Sequence, residues 1–279
     1  MLMPSRELGV QNMKDRIAAI LILDGDNTLW DTNAVFENAQ LNMLRNLVKE
    51  NLNIDSAKEF SRLREFDDIL VKHYKKHEYD FSVLALSLYL FYKGLEWDEA
   101  IRRSCEAFEK KLDIEGMDLA IKCGNKFKEE LRKFPPVFKD VKKTLETLKQ
   151  HNCVIILSSE GDKERVRRII QYYSMERYFD HILNGRKSVE QFKEARKTGI
   201  QIWRVRYPKD KKIPKIIVIG DLLDRDIQFG NLIGAITVYK PGGYKGHETP
   251  RNENEKPNYE IKEMHEVVDI LLKLVQKSF

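Results

Sequence analysis

The apolar run Ile20-Leu21-Ile22-Leu23 stops at Asp24-Gly25-Asp26, and this change from buried-strand to paired-acid chemistry constrains the fold more than any other feature. Side chains two apart on an extended segment point the same way. Asp24 and Asp26 therefore converge at a strand's carboxyl end, with Gly25 leaving room beside them. Two carboxylates this close resist joint ionisation unless a shared proton or a cation relieves them. A hard, oxygen-seeking ion such as Mg²⁺ is the natural relief.

The pattern recurs twice. Ile216-Ile217-Val218-Ile219 ends in Gly220-Asp221, with Asp226 a little over one helical turn further on. Val154-Ile155-Ile156-Leu157 ends in Ser158-Ser159-Glu160-Gly161-Asp162. Three buried-type strands ending in polar groups predict an open parallel α/β sheet, in which ligands bind at the strands' carboxyl ends.

In this order, Asp24-Gly25-Asp26-Asn27-Thr28-Leu29, then Leu157-Ser158, then a lysine, then Gly220-Asp221 with Asp226, the chain resembles the haloacid dehalogenase-like hydrolases. The resemblance implies a Rossmann-like parallel sheet core with helices on both faces, plus an all-α cap domain inserted after the first motif. Hydrophobic periodicity fits. From residue 33 to 133 apolar residues recur at helical spacing (Leu41/Leu44/Leu47/Val48, Leu63/Phe66/Ile69/Leu70, Phe81 to Tyr92), enough for four or five helices. Pro135-Pro136 marks the return, since neither residue continues a helix. The expected domains are therefore a core of residues 1–32 and 134–279 and a helical cap of residues 33–133, with hinges near Trp30 and Pro135-Pro136. Within the core we expect helices at 137–150, 162–173, 198–207 and 226–232, strands at 154–157, near Ile182, at 216–219 and 235–239, and a closing amphipathic helix at 263–275.

By the same resemblance, Asp24 is the nucleophile toward phosphorus and forms an aspartyl-phosphate. Asp26 protonates the leaving oxygen and then activates water. Ser158 and the Ser159 N–H bind the transferring phosphoryl group. Mg²⁺ falls to Asp24, the Asp26 carbonyl and Asp221, with Asp226 coordinating directly or through water. A lysine must bridge Asp24 and the phosphoryl oxygens. Lys197-Thr198-Gly199-Ile200-Gln201-Ile202-Trp203 resembles the family's Lys-Pro-x-x-x-Ile-Phe pattern, and Lys197 is preferred; Lys187-Ser188-Val189-Glu190-Gln191-Phe192 is the second candidate, at the cost of a long stretch before Asp221. Asp224 reads as an exposed helix-start residue. Trp30 either lines the pocket or packs at the cap base. Lys72, His73, Lys75, Lys76 and His77 read as a solvated helix face rather than an anion site.

The implied activity is a Mg²⁺-dependent phosphatase for a small phosphomonoester. Family members that displace halide lack the second Asp, so Asp26 weighs against a dehalogenase. A phosphomutase and a non-catalytic binding protein are the remaining alternatives. The net charge of +5 is spread over interleaved acids and bases, which gives no nucleic-acid stripe, only a mild positive field that steers anions. The partner expected is thus a small phosphorylated metabolite, with neither nucleic acid nor membrane; nothing in the sequence decides the oligomeric state. Residues 1–16 lack a continuous apolar segment of signal-peptide type, and the run Phe81 to Tyr92 is too short to span a bilayer, for which about 20 residues are needed. Three cysteines without paired spacing fit a reduced, cytoplasmic protein.

Overall fold

A computed structural model describes residues 19–49, 59–75, 79–210, 212–242 and 248–276 of the chain. It divides into two compact units, residues 32–135 and the remainder.

The first strand, β1 (Ala19–Leu23), is buried at every position. Five helices follow: α1 (Thr32–Val48), α2 (Phe60–Tyr74), α3 (Phe81–Tyr92), α4 (Trp97–Lys110) and α5 (Met117–Leu131). In this unit α3 is the central post. The Asp80 carboxylate caps it by accepting from the Ser82 N–H at 3.1 Å, and every residue from Phe81 to Leu90 is buried. A helix that is apolar all round belongs in a core, and α3 contributes Leu84 and Leu88 to one with Leu44, Phe66 and Phe127. Gly124 lets α5 approach it: a Cβ there would lie 2.2 Å from Ser82 Oγ. Lys72, His73 and Lys75 are exposed on or just after α2, as a solvated face requires; Lys76 and His77 lie outside the described residues. No helix among the described residues is long and apolar enough to cross a membrane.

The other unit continues with α6 (Val141–Gln150), β2 (Val154–Ser159), α7 (Lys163–Tyr172), β3 (His181–Asn184), α8 (Val189–Arg206), β4 (Lys215–Gly220), a π-helical turn (Leu223–Ile227), α9 (Gln228–Leu232), β5 (Ile236–Tyr239), β6 (Tyr259–Glu260) and α10 (Glu266–Gln276). All strands are parallel, in the order β3-β2-β1-β4-β5-β6. The chain steps outward from β1 to β3, then returns to the other side of β1 with β4. The order thus reverses beside β1, and in sheets of this kind the crevice at that reversal holds the ligand. Ile20, Ile22, Ile156 and Val218 pack with Phe192, Ala195 and Trp203 of α8 on one face of the sheet, while the alternate residues Leu21, Leu23, Ile155 and Leu157 are equally buried. Burial on both faces is why these strands read as continuous apolar runs rather than alternating ones.

Three elements depart from expectation in ways that bear on the site. Residues 137 and 138 are not helical: Val137 bridges Trp30, and Phe138 N–H donates to Leu29 O at 3.2 Å, so α6 starts only at Val141. The helix expected at 198–207 begins nine residues earlier, because Ser188 caps α8 by accepting from the Gln191 N–H at 3.2 Å. The helix expected at Asp226 opens instead as a π turn.

Candidate active site

The first acidic turn is built by its own backbone. Gly25 O accepts from the N–H groups of Thr28, Leu29 and Trp30, and Asn27 adopts a left-handed conformation with φ of 55°. Such a backbone suits Asn better than most residues, because its short polar side chain tolerates that region. Gly25 is obligatory for a different reason. A Cβ there would lie 2.4 Å from the ring of Trp30, which is fully buried and donates Nε1–H to Asp26 Oδ1 at 3.0 Å. Trp30 therefore orients Asp26.

Asp24 follows β1 directly, and its N–H donates to Ile219 O of β4 at 2.9 Å. That bond levels the ends of the two strands, so Asp221 arrives beside Asp24. Asp226 comes back toward them through the π turn, whose wide loop is closed by Ile227 N–H to Leu222 O at 3.2 Å. Carboxylate oxygens of Asp24, Asp221 and Asp226 all lie within 4.8 Å of one another, and all three residues are buried. Gly220 makes the return possible: a Cβ at this position would sit 2.2 Å from Asp226 Cγ. Gly220→Ala is therefore expected to displace the Asp226 carboxylate and destabilise the chain by about 1–3 kcal/mol, the usual cost of overpacking. A denaturant midpoint equal to wild type would contradict this.

Lys187 is the counter-ion. Its Nζ lies 2.6 Å from Asp24 Oδ1 and 2.8 Å from Asp226 Oδ1, and its side chain is 3% exposed. Burial alone would depress its pKa, but the fields of Asp226, Asp24 and Asp221 outweigh burial and hold the ammonium above its ordinary value. The acids respond in kind. Burial raises Asp24 and Asp226 above the carboxylate range, and Lys187 opposes the rise at both. Asp221 is pushed up to about 6, by burial first and then by Asp226. Thr28 Oγ1 donates to Asp24 Oδ2 at 3.3 Å.

This geometry corrects the preference for Lys197. Helices in a parallel α/β sheet run back from the carboxyl edge, so the loop before a helix faces the site and mid-helix residues do not. Lys187 precedes the Ser188 cap and lies in that loop. Lys197 lies nine residues beyond the cap, about 13 Å along the axis, and is exposed. The Ile202 and Trp203 that make its segment resemble the motif serve packing: Trp203 is buried in the core between α8 and the sheet, and Ile202 packs against it.

Ser158 and Ser159 end β2 and are both buried. Ser158 Oγ has no hydrogen-bond partner among the described residues, whereas Ser159 Oγ accepts from the Gly161 N–H at 3.1 Å. An unpaired buried hydroxyl costs free energy and implies a polar group that completes it. Asp24, Asp221 and Asp226 lie together with Lys187; Asp26 stands beside them, more open, with Arg165 Nη1 at 3.4 Å from its Oδ1. Asp224 is separate, paired to Arg251 at 3.2 Å.

Two supports carried no sequence signal. Glu160 accepts the Lys187 backbone N–H at 2.9 Å and pairs with Arg225 of the π turn, tying together the segments after β2, β3 and β4. Lys240, buried after β5, donates to Asn27 O at 3.1 Å and lies 3.8 Å from the centre of the Phe138 ring.

A family model described as a haloacid dehalogenase-like hydrolase matches residues 18–234. The chain belongs to the haloacid dehalogenase-like hydrolases. This hydrolase is 23% identical over 264 residues to a glyceraldehyde 3-phosphate phosphatase of Methanopyrus kandleri, covering 92% of this chain and 98% of that one. Its fold is similar to that of Bacillus subtilis YfnB, solved bound to magnesium, with a TM-score of 0.54 at 17% identity over 91% of this chain and 98% of that one. It is equally similar to a haloacid dehalogenase-like family hydrolase from Xanthomonas campestris, with a TM-score of 0.54 at 15% identity over 93% and 98% of the two chains.

Proposed function

We propose that this hydrolase is a Mg²⁺-dependent phosphatase that cleaves a small phosphomonoester through an aspartyl-phosphate on Asp24. The observation that carries this reading is the contrast between two acids one residue apart. Asp24 is buried against Lys187, whereas Asp26 is partly exposed and held by Trp30 and Arg165. Paired acids in such different settings suit different tasks, one as nucleophile and the other as proton carrier.

Asp24 attacks phosphorus in line and expels the ester oxygen, which takes a proton from Asp26. Asp26 then removes a proton from the water that hydrolyses the acyl phosphate. Lys187 balances the charge of Asp24 and of the phosphoryl oxygens, and the Ser158 hydroxyl supplies a donor that no protein group engages among the described residues. The buried triad of Asp24, Asp221 and Asp226 is an all-oxygen donor set that suits Mg²⁺, and by the family resemblance the Asp26 carbonyl would join it. When bound there, Mg²⁺ would offset the repulsion between a carboxylate and a phosphate dianion. The five-helix unit is assigned the role of the cap that selects the leaving group. Three buried cysteines, held as thiols rather than disulfides among the described residues, support a cytoplasmic location.

Release of inorganic phosphate from a panel of phosphomonoesters, with Mg²⁺ and with excess chelator, tests the reading. Mg²⁺-dependent release is expected, with Ca²⁺ a poor substitute because it tolerates looser and larger coordination. Full activity in chelator would overturn the metal assignment. Isomerised sugar phosphate in place of free phosphate would indicate the mutase.

A further inference from the structure

The site described above has a closed floor and an open rim. The groups assigned to the transferring phosphoryl and to Mg²⁺, namely Asp24, Lys187, Asp221, Asp226 and Ser158, are each no more than 5% exposed. The proton carrier Asp26 is the exception: its side chain is 29% exposed, and that of its neighbour Arg165 is 32% exposed. Arg165 belongs to the first turn of α7, where its backbone N–H is satisfied by the capping Asp162 at 2.9 Å. Among the described residues, its guanidinium touches Asp26 alone, through Nη1 to Oδ1 at 3.4 Å. The nearby cations are committed elsewhere: Arg225 to Glu160, Lys187 to Asp24 and Asp226, and Lys240 to Asn27. Gly161 leaves the intervening loop close-packed beside Asp26: a Cβ there would meet Val166 Cγ2 at 3.0 Å and Ser159 Oγ at 3.2 Å.

We propose that Arg165 is a specificity-determining residue that selects phosphomonoesters whose leaving group carries a carboxylate close to the ester oxygen. The proposal rests on the phosphatase reading, because Asp26 marks the leaving oxygen only if Asp26 protonates it. A leaving oxygen hydrogen-bonded to Asp26 lies about 3 Å from that carboxylate, which places the guanidinium within roughly 6 Å of it. A carboxylate on the adjoining carbon spans that gap. The guanidinium fork matches carboxylate and phosphate alike in two parallel hydrogen bonds, so reach decides: a carboxylate joined directly to that carbon fits the gap, whereas a second phosphate, carried one ester oxygen further out, overreaches it.

The test is a matched pair of esters, 2-phosphoglycolate and 2-hydroxyethyl phosphate, which differ by a carboxylate against a neutral hydroxymethyl group. Wild type is expected to favour the former in kcat/KM by about tenfold, the effect of one partly exposed charged hydrogen-bonded contact. In Arg165→Gln the ratio should fall toward one, mainly through KM for 2-phosphoglycolate. Arg165→Lys, which keeps the charge and loses the fork, should give an intermediate ratio. Glyceraldehyde 3-phosphate and a bisphosphate extend the series to another neutral leaving group and to a phosphate anion. A wild-type ratio near one, a ratio unchanged in Arg165→Gln, or a stronger preference for the bisphosphate would overturn the proposal. If wild type releases no phosphate from any ester, p-nitrophenyl phosphate included, the phosphatase reading itself fails, an outcome distinct from loss of selectivity.

Discussion

Lys187→Met is expected to abolish phosphate release and to destabilise the metal-free protein by about 3–5 kcal/mol near neutral pH, while Lys197→Ala leaves both within experimental error. Lys187 is the buried cation on Asp24 and Asp226, at 2.6 and 2.8 Å. Removing it strands buried carboxylates without a counter-ion, which costs far more than the loss of an exposed pair. The pH dependence separates this electrostatic cause from a packing defect. Without Lys187, the carboxylates rise still further above their ordinary range, because Lys187 is what opposes burial at Asp24 and Asp226. A raised carboxylate favours the fold while protonated and loses that advantage as pH rises through its folded value. The mutant's deficit should therefore be largest at alkaline pH, shrink in acid, and be partly relieved by Mg²⁺. Urea unfolding at pH 8 and at pH 5.5 reads it directly. A deficit that does not change with pH would assign Lys187 a packing role instead.

What made the core legible was the chemistry of single strands. β1, β2 and β4 are apolar through their length and end in Asp24, Ser158 and Gly220-Asp221, so the sheet and three parts of its site could be read from runs of residues. Asp226 was also legible, since Gly220 and a nearby helical segment brought it back to the strand. Lys187 ranks second in the sequence because of the long stretch before Asp221, which is accounted for only by where α8 begins, just after Lys187. That start is set by a local bond, Ser188 Oγ accepting the Gln191 N–H, which competes weakly in sequence with a motif-like stretch further along. Lys197 with Ile202-Trp203 imitates the motif because the face of α8 that packs on the sheet calls for such an apolar pair in any case. Contacts that cross long sequence separations left no trace at all. Glu160 reads as a loop acid until it is found holding Lys187 and Arg225, 27 and 65 residues away. β6, two residues long, is shorter than any pattern that period-two alternation can register.

Asp24→Asn is expected to reduce phosphate release on the order of 10⁴-fold or more, because the amide offers no nucleophile and the residual rate comes from binding and electrostatics alone. The same change should leave the fold as stable as wild type, or more so, at pH 7 to 8 in chelator. Burial raises the Asp24 pKa, so the ionised carboxylate is a burden on the native state above its folded pKa. Asparagine carries no such burden. Its carbonyl can still accept the Thr28 hydroxyl, and Lys187 keeps Asp226 at 2.8 Å. The sign follows from linkage: the wild-type contribution of Asp24 is greatest in acid and is lost as pH rises, so the advantage of the mutant should grow with pH. Asp221, raised to about 6 from an unfolded value near 3.9, adds the same trend to both proteins over that window. Thermal unfolding of the pair between pH 5 and pH 8, alongside turnover, separates the roles. Lost turnover with unchanged or higher stability identifies Asp24 as the nucleophile held in an unfavourable setting; a mutant that melts well below wild type at every pH makes Asp24 a structural residue and removes the basis for the phosphatase mechanism.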